Sequence, residues 1–291
     1  MATVHWTGGA ADNNFGTDGN WSGGSAPAAG DNWIIDYGSD NITAGMDQTA
    51  LTSGTGRVGP SFQGSIGTAS SPLKTGGTFS KIVLNCPKAS QVNIWPAACT
   101  DFVVLDCRSA LLYDGNITRL ALVNGDDITI GAASNPATVT LGTNRAAKQK
   151  LNVTIESGAT ITTITQLYGQ VDNEAAFTTY NGIGGIFRHN GASTGAITTA
   201  NLYNEKCSFV WRARSGNTGF TLGTLNNYGG TFDASETAWV NAITTLNYYG
   251  GPITLPETWT VTTMNIFAGG PSQYIGPQAG TINAYVVPGG H

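Results

Sequence analysis

From Leu225 onward the chain repeats one short phrase of apolar and polar positions. It reads Leu225-Asn226-Asn227-Tyr228, Leu246-Asn247-Tyr248-Tyr249, Met264-Asn265-Ile266-Phe267 and Ile282-Asn283-Ala284-Tyr285. Each copy has an apolar residue, an asparagine, any residue and an aromatic, and two copies follow Thr-Thr pairs at Thr244-Thr245 and Thr262-Thr263. Successive asparagines lie 21, 18 and 18 residues apart. A self-similar period near twenty residues predicts a solenoid. The surrounding Val, Ile, Thr, Tyr and Phe favour strands, and the Gly, Asn and Pro favour turns. No long window has the apolar spacing of an amphipathic helix. The pattern therefore predicts an all-β, single-stranded parallel β-helix of roughly ten coils of about 18–22 residues each.

In such a coil, equivalent residues stack about 4.8 Å apart. The asparagines become a ladder, because Asn tolerates corner conformations and its amide can bond to the coils above and below. The aromatics Tyr228, Tyr249, Phe267 and Tyr285 become a stack. Running the period backwards finds Leu84-Asn85, Leu105-Asp106 and Val123-Asn124, at spacings of 21 and 18. From Asn124 to Asn204 is 80 residues, enough for four coils. The expected ladder is thus Asn85, Asp106, Asn124, Asn204, Asn226, Asn247, Asn265 and Asn283.

The pattern divides the chain at residue 80. Residues 81–291 are read as the β-helix, and residues 1–80 as an N-terminal cap followed by an extended Gly/Ser/Thr-rich arm. The opening segment contains Trp6, Phe15, Trp21 and Trp33, aromatic area suited to covering the open end of a core. Its Asp12-x-Asn14 and Asp18-x-Asn20 turns offer oxygen ligands, but the acidic residue that closes a calcium loop is missing at the proper offset, so Asx turns are expected.

Composition sharpens this picture. Charged residues are 11% of the 291, Gly numbers 40, and the formal net charge is -5. Few charges on a turn-rich chain imply a surface of hydroxyls and amides. A negative balance argues against electrostatic nucleic-acid binding. The start of the chain shows no basic-then-apolar leader, and no run of 18 apolar residues suggests a membrane span. None of the cysteines Cys86, Cys99, Cys107 and Cys207 forms a CxxC pair, so a zinc site is not expected. Cys86 and Cys107 fall at stacked positions, either as free thiols or as a disulfide.

Candidate chemistry is sparse. Asp106 with Asp126 or Asp127, and Asp233 with Glu257, have coil-like separations, yet each pair lies in turn-like sequence. No catalytic, cofactor or metal site is expected. Candidate partner contacts are the basic cluster Arg145, Lys148 and Lys150, and the residues Arg188, Trp211, Arg212 and Arg214, because Trp and Arg are enriched at interfaces.

The N-terminal order Trp6-Thr7-Gly8, Asp12-Asn13-Asn14, Asn20-Trp21-Ser22-Gly23-Gly24, Pro27, Gly30-Asp31-Asn32 and Ile34-Ile35 resembles the start of β-helical passenger regions of bacterial autotransporters. It is also similar to β-helical virion proteins of tailed bacteriophages. With no export leader read at the start, the phage resemblance implies a virion protein made in the host cytoplasm. The expected function is a capsid decoration or cement protein, binding the major capsid protein and self-associating as a trimer or dimer. The alternatives are a tail-fibre module recognising host glycans and a bacterial surface adhesin fragment.

Overall fold

The computed structural model describes residues 1–113, 115–143, 150–190, 197–212, 221–236, 241–267 and 273–284. These residues form an all-β parallel solenoid, about 11 turns in all. The one helical element among them is a single 3-10 turn at Asp18–Asn20. The chain separates into two compact units, Met1–Thr160 and Ile161–His291.

The first unit is held by two columns of buried side chains. One runs Val4, Trp33, Gly56, Ile82, Phe102, Leu120, Val139, each paired in register with the next. The other runs Ile35, Val58, Leu84, Val104, Leu122, Leu141. Alternation along each strand sends every second residue inward, and parallel pairing stacks those residues coil upon coil. The glycine in the first column has a steric reason. A Cβ at Gly56 would stand 2.2 Å from the Trp33 ring, so the indole occupies the space a side chain would need.

At its N-terminal end this unit is closed. Phe15, Trp21 and Trp6 pack edge to face, with Phe15–Trp21 ring centroids 4.8 Å apart and Trp6–Trp21 at 5.3 Å. The outer edge of Thr3–His5 is covered at its His5 end by the chain folding back on it. Ser22 N–H donates to His5 O at 2.8 Å, and Thr7 N–H donates to Asn20 O at 2.7 Å. Occupying part of a sheet edge in this way hinders the addition of a stray strand. Asp12 accepts from Asn14 N–H, the Thr17 hydroxyl and the Asn20 amide, as the Asx-turn reading expects.

Residues 37–80 are not an arm. Thr55–Phe62 pairs with Asn32–Gly38 on one side and Leu73–Cys86 on the other, and Asp47–Gln48 also joins Leu73–Cys86. Winding therefore begins well before residue 80. Composition misled because this stretch places few but well-spaced apolar residues inward: Ile42, Met46, Leu51, Val58, Phe62 and Ile66 are all buried.

The second unit has its own two sheets. One contains Ala176–Gly182, Ile197–Leu202, Thr221–Tyr228, Ala242–Gly250, Thr260–Ile266 and Thr281–Ala284. The other contains Gln170–Asn173, Gly185–His189, Cys207–Trp211, Thr231–Asp233, Ile253–Thr254 and Tyr274–Ile275. Between them Phe187, Phe209 and Phe232 form an internal ring column, with successive centroids 5.1 and 5.4 Å apart.

Candidate functional site

The most regular feature of the second unit is the outward side of its first sheet. Strand alternation there puts Ala200, Leu225, Leu246 and Met264 inward, and the asparagine after each outward. Asn226 donates its amide N–H to Asn201 Oδ1 at 2.7 Å, and Asn247 to Asn226 at 2.7 Å. Asn265 donates to Asn247 at 2.8 Å, and Asn283 to Asn265 at 2.9 Å. In the other direction Asn201 donates to Asn181 at 2.8 Å. All five bonds point the same way along the coils, so each polarises the next.

Asn204 does not belong to this row. It sits in the turn after the strand, where its Oδ1 accepts Lys206 N–H at 2.9 Å, and Asn201 holds the register instead. The coil between Asn201 and Asn226 is 25 residues long, so a count at the later period stops three residues too far along. Asn181 and Asn201 were missed for the same reason. The signal was present, since Ala200-Asn201-Leu202-Tyr203 repeats the same phrase.

In the first unit Asn85 and Asp106 are register partners, and Asn124 donates to Asp106 Oδ1 at 2.9 Å. Their neighbours differ from the expected pattern. A register shift after Leu84 pairs Leu84 with Val104 and leaves Leu105 outside, 42% exposed.

Next to the asparagines runs the aromatic row, and it faces outward. Tyr228 stacks on Tyr249 at 4.6 Å and Tyr249 on Phe267 at 4.4 Å, with ring planes within 20° of parallel. Tyr203 extends the row at 5.4 Å and 3°. Tyr285 lies outside the described residues. Because the faces press on each other, the row presents ring edges and hydroxyls to solvent. Gly251, at φ +83°, turns the chain sharply after Tyr249, and a Cβ there would meet the Gly230 carbonyl at 2.3 Å.

On the other flank is a threonine row that the sequence reading did not assemble. Thr179, Thr199, Thr224, Thr245, Thr263 and Thr281 are consecutive register partners, each two residues before a ladder asparagine. Thr198-Thr199 and Thr178-Thr179, matching Thr244-Thr245 and Thr262-Thr263, were the available signal.

The candidate partner contacts are scattered. Lys150 Nζ lies 3.3 Å from Asp126, Arg188 lies 3.6 Å from Asp172, and Arg212 lies 2.8 Å from Glu236. Each cation thus faces a carboxylate, not an open basic patch. Trp211 is a core residue, 2% exposed and edge to face with Trp259 at 5.4 Å. The alternation of Cys207–Trp211 turns it inward. Arg145, Lys148 and Arg214 lie outside the described residues.

Burial shifts the pKa values of several side chains in the core. His189 is held down to about 4 by burial, with Asn173 Nδ2 3.0 Å from its Nδ1. Tyr180 is raised well above its ordinary value by burial, and its hydroxyl donates to Gln166 Oε1 at 2.7 Å. Cys86 and Cys107 are register partners and free thiols, Sγ to Sγ 3.3 Å. Their hydrogen bond, followed by burial, drives the Cys86 thiol far above its usual range. Among the described residues no three His, Cys, Asp or Glu side chains are grouped to hold a metal ion.

Compared with family models, curated proteins and solved structures, the chain matches none of them.

Proposed function

We propose that this chain is a non-enzymatic structural protein whose solenoid serves as a binding scaffold. The observation that carries this reading is where the polar side chains are directed. Among the described residues, the ladder's side chains bond from coil to coil and do not converge on one point, as a reacting centre requires. Three of the five acids weighed for catalysis have structural partners. Asp106 accepts from Asn124, Asp126 pairs with Lys150, and Asp233 accepts Ser235 N–H at 2.9 Å.

Within that class the reading is a capsid decoration protein of a phage virion, bound to the major capsid protein and self-associated as a trimer or dimer. Its support is the N-terminal resemblance together with exposed apolar surface on the strand Thr281–Ala284. Ile282 occupies the register position of buried Met264 yet is 51% exposed. An uncovered core position suits a subunit contact. The tail-module reading is weaker, because sugar stacking wants open ring faces and this aromatic row keeps its faces against one another.

The test is co-sedimentation of the purified chain with empty shells of the major capsid protein from the same source. Saturable binding at a fixed ratio to capsid subunits is expected. A chain that stays in the supernatant at every shell concentration refutes the decoration reading. Specific retention on host surface polysaccharide would favour the tail-module alternative.

A further inference from the structure

The threonine and asparagine rows of the second unit form a two-dimensional grid. Along the coils the repeat is the strand spacing of about 4.8 Å, and along each strand the Thr-x-Asn step is about 6.6 Å. The grid runs six coils, from Thr179 and Asn181 to Thr281 and Asn283. Its length is therefore about 24 Å at the strand spacing. Every residue in it is uncharged, whereas the other sheet of the same unit carries Asp172, Arg188 and Asp233.

The groups on the grid are available and fixed. A side-chain amide has two donors and two acceptor lone pairs, and the ladder uses one of each. In the middle of the row each asparagine keeps one donor and one acceptor for an outside partner. The hydroxyls of Thr199, Thr224, Thr245 and Thr263 make no hydrogen bond to another described residue, and threonine is stiff at χ1. The ladder has already immobilised the amides, so binding would lose little side-chain entropy.

A ligand that satisfies every cell equally must itself repeat in two directions. Hydrogen-bonded water at about 2.75 Å, linked tetrahedrally, repeats at about 4.5 Å in one direction and about 7.3 Å in another. Against the protein's about 4.8 Å, the drift is about 0.3 Å per coil and about 1.5 Å over the grid, well under half a repeat. A second copy fits less well. Taken out to the aromatic row, the face covers roughly 300 Å², while a standard interface takes about 800 Å² from each partner.

We propose that this threonine–asparagine grid binds ice, ordering water into its lattice across the outward face of the sheet. The proposal does not rest on the capsid reading. The experiment uses the purified full chain in a nanolitre osmometer, with partition into slowly growing ice as the second readout. The chain is expected to facet ice crystals, produce a thermal-hysteresis gap and enter the ice. Thr245→Lys, at the centre of the grid, is expected to lose at least half of that gap. Thr231→Lys, the same change on the other sheet, is expected to keep it, with circular dichroism melts confirming that both variants fold. Crystals that grow unshaped by the wild-type chain overturn the proposal, as do equal losses in the two variants. Retardation by a neutral polysaccharide gel, or a dimer dissolved by Thr245→Lys, without ice shaping would assign the face to that occupant and overturn it as well.

Discussion

His189 is the residue most sensitive to its surroundings. It is fully buried between Asn173, Phe177 and Trp211, with ring centroids 5.5 Å to Phe177 and 5.0 Å to Trp211. Burial disfavours the imidazolium, so the folded value of about 4 lies below the unfolded value of about 6.5. The unfolded chain therefore binds a proton first as pH falls. Stability from this group is complete above pH about 6.5 and is lost progressively down to pH about 4, amounting to about 3 kcal/mol. The urea midpoint should fall across that window. His189→Gln should flatten the fall, and an unchanged slope in that variant would place the titration elsewhere. Nothing in the local sequence Phe187-Arg188-His189 announces this; the alternation of Gly185–His189 turns the histidine inward and the arginine outward.

At the scale of the element, the asparagine ladder makes a positional prediction. Asn247 donates one ladder bond and accepts another, whereas among the described residues Asn283 only donates. Asn247→Ala should cost about 1–2 kcal/mol and Asn283→Ala about half of that, read from chemical denaturation. Equal costs would mean that the bonds act independently of their place in the row. The ladder was legible from the phrase itself, because side chains at one register position must be alike to bond in a row. Its continuation to Asn201 and Asn181 was not, because the 25-residue coil breaks the count without disturbing the pairing. The threonine row was half legible in the same sense: the Thr-Thr pairs were visible, but only the register showed which threonine of each pair aligned.

For the whole molecule, the scarcity of charge sets the response to salt. The ion pairs Asp101–Arg119, Asp126–Lys150 and Glu236–Arg212 are exposed, with side-chain accessibilities from 33% to 67%. Pairs of that kind contribute little and are screened further by salt. Raising NaCl from about 0.05 M to about 0.5 M should move the stability by less than about 1 kcal/mol. A large loss would mean that a charge network carries more of the fold than the packed columns do. Those columns, from Val4 to Val139 in one unit and from Ala200 to Met264 in the other, have no polar interruption among the described residues.

Repetition determined what the sequence could determine by itself: an all-β parallel winding, its period, and the identity of the side chains that stack outside it. A period is a local property, written into every coil, and it survives without knowledge of any contact. The tertiary structure alone decided the rest. It wound residues 37–80 into coils, set Asn201 and not Asn204 in the row, turned Trp211 into the core and aligned the threonines. Each of these depends on register between strands about twenty residues apart, which core packing fixes and which turns of unequal length conceal.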